Sequence, residues 1–277
     1  MNTKKILAVG ILSIGLLSIQ MSCSKAVDLT SDTEIAEDNV LAEQIDDDVE
    51  NIASQSDVNE KLEDLKTGDA SSILSDSIKI EKDLSKGSIK IDFGGESGCK
   101  GRNGRLYKGK IFKSFNGKKF FDEGYSSTVT FEKFSNNGNS VEGTKTIVYK
   151  GLNSKGQMYW TISTSLTITK ANGKSMTWTS TRTRTMIAGA GTKTWGDDKY
   201  ELTGSASGSS SNGNSFETTI STPLIKDMAC KYIISGVINY VKTGTTTTKT
   251  KTLDFGNGDC DAKAVLTVDG TSKDILL

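Results

Sequence analysis

Turn signals set the architecture of this chain more firmly than anything else in it. From about residue 87 onward, short alternating runs of Val, Ile, Thr, Tyr, Phe and Trp are broken at near-regular intervals. The breaks are Asn116-Gly117, Asn137-Gly138, Asn153 to Gly156, Asn172-Gly173, Gly189 to Gly191, Asn212-Gly213, Thr243-Gly244, Gly256 to Gly258 and Asp269-Gly270. Asn-Gly and Asp-Gly pairs supply the positive φ angles that tight hairpins need. Nine such turns predict ten or more strands joined mostly as hairpins. No helical pattern of useful length intervenes, so parallel βαβ units are disfavoured. The expected fold is all-β: an antiparallel hairpin or meander sheet, sandwich-like or curled into a partial barrel, preceded by a short acidic tether, partly helical or disordered.

The hairpin over 158–186 fixes a register. Met158, Trp160, Ile162, Leu166 and Ile168 share one face; Met176, Trp178, Arg182, Arg184 and Met186 share another. A three-residue Ala171-Asn172-Gly173 loop pairs even positions with even ones, whereas a two-residue loop would set Trp160 beside a Thr ladder. The expected pairing puts Trp160 near Arg184 and Trp178 near Leu166. Arg182 and Arg184 then stand on the apolar face, where each needs a carboxylate or an aromatic ring.

Residues 1–22 read as an address. Lys4 and Lys5 precede a 14-residue stretch of apolar, Gly and Ser residues, Ile6 to Ile19. That is too short for a membrane span, which needs about 20 residues, and suits a signal peptide. Gln20-Met21-Ser22-Cys23 follows and resembles the lipobox of bacterial lipoproteins, which implies cleavage before Cys23 and its lipidation. Gln20 departs from the usual apolar residue of that motif. Ser24 resembles the pattern sorted to the outer membrane.

Charge divides the rest. The chain carries 34 basic and 34 acidic residues. Residues 23–86 hold 18 acidic and 6 basic groups, net −12, and residues 87–277 hold 16 and 26, net +10. The acidic part has no aromatic residue and reads as a solvated tether, with helical spacing near 33–53 and again at 57–66. Acidic residues so close to Cys23 resemble surface-export tethers of some Gram-negative lipoproteins; a plain spacer is the alternative. Such a tether would dock on the basic body at low salt and release as screening grows. Asp76-Ser77-Ile78 matches a short O-glycosylation motif of some of the same bacteria. The expected organisation is a signal peptide at 1–22, a tether at 23–86 and a β domain at 87–277.

The chain has no His. Ser-His and Cys-His nucleophile pairs and His-ligated metal sites are therefore excluded. The basic surplus, read as single solvated Lys residues rather than a stripe with stacked aromatics, argues against nucleic acid. Asp254, Asn257, Asp259 and Asp261 are close-spaced oxygen donors that a calcium ion could use, but they lack EF-hand spacing, and local turn formation explains them as well. Asp92 and Asp254 could form a hydrolase carboxylate pair only if the fold brought them together. Trp160, Trp178 and Trp195 with Arg182 and Arg184 could form a glycan or anion site. If Cys23 is lipidated, Cys99, Cys230 and Cys260 remain. A hairpin centred near residue 245 favours Cys230–Cys260, with Cys99–Cys260 as the alternative.

The stretches DFGGESGC at 92–99, GRNGRLYKGKI at 101–111, VEGTKT at 141–146, STRTRT at 180–185, LTGSASG at 202–208, NGNSFETTI at 212–220, CKYIISG at 230–236 and LDFGNGDCDAKA at 253–264 resemble, in that order, a family of uncharacterised Gram-negative envelope lipoproteins. The resemblance implies an extracytoplasmic all-β domain and no known activity, cofactor or catalytic residue. The expected role is non-enzymatic: binding, adhesion or scaffolding in the envelope, without a cofactor, with the membrane as one partner and a glycan or envelope protein as another. A carbohydrate- or anion-binding module and a carboxylate-dependent envelope hydrolase are the alternatives.

Overall fold

The computed structural model describes residues 29–56, 73–75, 77–118, 121–192, 194–243 and 251–277. One helix, α1 (Thr30–Ser56), precedes a single antiparallel sheet of fourteen strands. The strands are β1 (Lys79–Asp83), β2 (Ser88–Asp92), β3 (Cys99–Lys100), β4 (Leu106–Phe115), β5 (Ser126–Asn136), β6 (Asn139–Leu152) and β7 (Met158–Thr169), then β8 (Ser175–Ala188), β9 (Lys199–Ser209), β10 (Ser215–Asp227), β11 (Ile233–Lys242), β12 (Lys251–Asn257), β13 (Lys263–Val268) and β14 (Thr271–Leu276). The order is a meander: each strand pairs with the next, except that β2 pairs with β4 and the two-residue β3 adds to β4. The sheet does not close into a barrel.

The turn signals fall where the strands reverse. Asn137 and Gly138 both take positive φ between β5 and β6, and Asp269 and Gly270 do so between β13 and β14, as two-residue hairpins require. Gly173 takes φ +84° at the end of the three-residue loop. Trp160 accordingly faces Arg184 and Leu166 faces Trp178, the expected register. The Thr243-Gly244 signal lies at the edge of 244–250, outside the described residues.

The acidic segment departs from the expected solvated tether. Over 30–56 it is one helix, and the sheet curls round it. Side chains from β4, β6, β8, β10 and β12 all reach α1. Ile35, Ala42, Ile45, Val49 and Ile52 are almost wholly buried, and so are Asp38, Asn39, Glu43, Asp48 and Glu50. A helix buried on most of its circumference is normally apolar over most of it; this one has nine carboxylates and no basic residue. The sheet also begins before the expected boundary at 87, because β1 starts at Lys79 and pairs with β2.

Small residues make room for large ones on the helix-facing side. Gly204 stands beside Arg182, Gly208 beside Trp178 and Gly143 beside Leu166. Gly204 has φ +125°, and a Cβ there would lie 2.2 Å from the Thr181 carbonyl oxygen. Gly204→Ala is expected to lower stability by about 1–3 kcal/mol, from strained backbone and overpacking together. The urea midpoint checks this; an unchanged midpoint contradicts the packing described.

Candidate functional site

The chemistry of this molecule is concentrated in its interior, between α1 and the inward face of the sheet. On α1, residues three or four apart lie along one side. Glu43, Asp46, Asp47 and Glu50 follow that spacing and meet four cations. Arg182 binds Glu43. Lys145 binds Asp46 at 2.7 Å and Glu50 at 3.3 Å. Arg184 binds Glu50 at 2.8 Å, and Lys226 binds Asp47 at 2.8 Å. Toward the helix start, Lys251 binds Asp32, Lys174 binds Glu34 at 2.9 Å, and Lys170 binds Asp38 at 2.7 Å. On another side Arg105 binds Asp48, which also accepts from Asn136 at 2.7 Å.

The helix and β8 run side by side in the same direction. Asn39, Glu43 and Glu50 meet Trp178, Arg182 and Arg184 in order. The two advance together: eleven helical residues rise about 16 Å and six strand residues about 20 Å. Aromatic rings complete the setting. The Arg182 guanidinium lies 5.6 Å from the Trp178 ring centroid, and that of Arg184 lies 3.6 Å from the Tyr200 ring centroid. At the far end Lys113 donates to the Ala53 carbonyl at 2.8 Å, setting a cation where the helix dipole is negative.

Burial and charge act against each other here. Burial raises the Glu43 and Asp48 carboxyls above their ordinary values, outweighing Arg182 and Arg105. Burial also acts to raise Glu50, but Lys145 and Arg184 lead the opposing attractions that hold its carboxyl below its ordinary 4.5. The pH consequences have opposite signs. The Glu50 contribution is present above 4.5 and is lost as pH falls through its lower folded-state value. Glu43 and Asp48 take up protons in the folded state first, so the stability they cost at neutrality returns as pH falls toward 4.5 and 3.8. The urea midpoint is therefore expected to hold or rise on mild acidification and to fall below pH 4.5. Glu50→Gln should flatten that fall; an unchanged acid limb would contradict the assignment.

The sequence-derived candidates divide into those the interior gathers and those it does not. Trp160, Trp178, Arg182 and Arg184 come together, but facing α1 rather than solvent, and Trp160, Trp178 and Trp195 are all buried. They form no exposed aromatic platform. The cations of the body are not all solvated either: Arg105, Lys113, Lys145, Lys226 and Lys251 are buried with the two β8 arginines. Asp92 and Asp254 stand on β2 and β12, with eight strands between them in the sheet order. Each accepts from a glycine amide two residues on, Gly94 or Gly256, at 2.8 Å. Asp261 likewise accepts from Lys263 N at 3.1 Å. Among the described residues no group of three or more His, Cys, Asp or Glu side chains is placed to hold a metal ion. Cys230 and Cys260 are bonded, in the connections flanking the β11–β12 pair. Cys99 is a free thiol donating to the Ser77 carbonyl at 3.3 Å. Cys23 and Asp76 lie outside the described residues.

Sequence reasoning passed over the interior lysines, although strand parity carried them. Lys113 shares its side of β4 with Ile111, Lys145 its side of β6 with Val141 and Ile147, and Lys251 its side of β12 with Leu253. An apolar face carrying single cations, beside an acidic segment with helical spacing, was the available signal. Compared with known protein families, characterised proteins and solved structures, the chain matches none.

Proposed function

We propose that the chain is an exported lipoprotein, anchored at the outer membrane through Cys23, whose body has a non-enzymatic binding, adhesive or structural role and belongs with the envelope lipoproteins it resembles. The observation that carries this reading is the 14-residue stretch after Lys4-Lys5, ending in Gln20-Met21-Ser22-Cys23. A non-enzymatic role is supported by the interior, whose acids and bases are engaged with one another. Metabolic labelling with an alkyne fatty acid is expected to mark the chain, and Cys23→Ser to lose the mark and leave the membrane fraction. Label retained by Cys23→Ser would reject the anchor.

A glycan-binding role finds support in a different place from the buried Trp and Arg residues. On the outward side, Thr146, Ser163, Thr181, Ser205 and Thr219 stand opposite one another across five strands. Thr144, Ser165, Thr179 and Ser207 form the next row. Neighbouring hydroxyls in a row are about 4.8 Å apart, the strand spacing. An uncharged hydroxyl array suits a hydroxyl-rich polymer. Residues 24–277, rather than 87–277, are the right material for a glycan array, because a cut at 87 removes α1 and β1.

A further inference from the structure

We infer that the end of the body around the start of α1 rests on the membrane surface, with its turns against the lipid headgroups. This rests on the reading that Cys23 is lipidated. Five residues separate Cys23 from Leu29. Whatever their conformation, they span at most about 20 Å, since an extended chain covers no more than 3.6 Å per residue. The acidic segment therefore does not act as a spacer between Cys23 and the body, because Thr30–Ser56 lies inside the body.

The ends of the body are distinguishable. Glu34 is held by Lys174 at 2.9 Å, in the β7–β8 turn. Ser31 Oγ accepts from Asn214 and Lys242, both at 3.1 Å, and Thr33 Oγ1 from Lys273 at 3.4 Å. The β7–β8 and β9–β10 turns thus share one end with the helix start. The helix has 27 residues and is about 40 Å long at 1.5 Å per residue, so the β6–β7 turn at Asn153–Gly156 and the connection after Ala188 stand at the opposite end.

Chemistry favours the same orientation. An open cavity of about 640 Å³ at the near end has Leu29, Glu34, Glu37, Lys170, Lys174 and Lys273 among its lining residues. Lys170, Lys174, Lys242 and Lys273 gather there, the first two paired with Asp38 and Glu34, and the β7–β8 and β9–β10 turns between them are built of small residues, mostly Ser, Asn and Gly. Ammonium groups among small polar turns suit a layer of phosphate-bearing headgroups.

The test uses the full chain, purified from membranes and reconstituted in vesicles of phosphatidylethanolamine and phosphatidylglycerol carrying a headgroup-attached fluorescent acceptor. Donor dyes are placed at Ala171→Cys or Lys155→Cys in a Cys99→Ser background. These exposed positions flank β7 at its two ends. Energy transfer is expected to be several-fold stronger from position 171 than from 155, and to weaken at 171 when Lys174 and Lys273 are both changed to Gln. Equal transfer from the two ends, or stronger transfer from 155, overturns the orientation while leaving the anchor intact. An intact mass showing no lipid on Cys23 removes the anchor and this inference with it.

Discussion

A chain beginning at residue 73 should fail to fold, and a peptide of residues 29–56 added in trans should restore the fold. The sheet alone would line its inward face with Arg105, Lys113, Lys145, Arg182, Arg184, Lys226 and Lys251, all buried in the intact molecule. Seven cations on one face repel one another, and the apolar side chains between them would lose their cover over the whole length of α1. The truncation also takes away the apolar cover that Ile35, Ile45, Val49 and Ile52 provide, and a domain's total stability is only about 5–15 kcal/mol. The expected result is loss of the cooperative unfolding transition and of the β-sheet circular dichroism signal, both regained on titration with the peptide. A truncated chain that melts cooperatively near the full-length midpoint would show that the helix is not needed.

The Glu43–Arg182 pair carries the second large effect. Both side chains are almost completely buried, and Arg182 Nε and Nη1 have no protein hydrogen-bond partner. Glu43→Ala leaves the guanidinium buried and unpaired, at an expected cost of about 3–5 kcal/mol. Replacing both partners with leucine removes two desolvated charges together. A pair whose remaining donors are unsatisfied recovers its desolvation penalty incompletely, so the double variant is expected within about 1 kcal/mol of the parent, or above it. A double-mutant cycle by urea denaturation decides: a double variant as unstable as Glu43→Ala would mean that packing rather than charge governs the site. The prediction separates stability from specificity, because the pair also fixes which turn of α1 sits opposite which residue of β8.

How legible this was in the sequence depended on whether the determinants were local. The Asn-Gly and Asp-Gly turns, the even-with-even register of β7 and β8 and the Cys230–Cys260 bridge all follow from spacing within one or two hairpins, so they could be read directly. The place of α1 could not. Its carboxylates look like the solvated face of a tether because most of their partners lie about a hundred residues away or more: Lys145 is 99 residues from Asp46, and Arg182 is 139 from Glu43. The cancellation of −12 against +10 was visible as arithmetic. Its meaning as pairing needed the inward parity of Lys113, Lys145 and Lys251, which single-strand reading takes as solvation. Burial also removes the expected salt-triggered release, since ion pairs held inside a fold are screened far less than exposed ones.

The order of the chain gives this architecture a temporal side. Neighbouring strands meet across short turns and can zip together as they are made, but the first-made element needs the last-made ones: Asp32 is 219 residues from Lys251. Contacts so distant form late in folding. Until the sheet begins to form, α1 is a segment with nine negative charges and no partners, and its full set of partners waits for β12. Pulse-labelled hydrogen exchange should show the β7–β8 amides protected before those of α1. On the export proposed above, an opening segment that cannot collapse early would suit passage across a membrane in the unfolded state, and the carboxylates that postpone the fold are the ones that complete it.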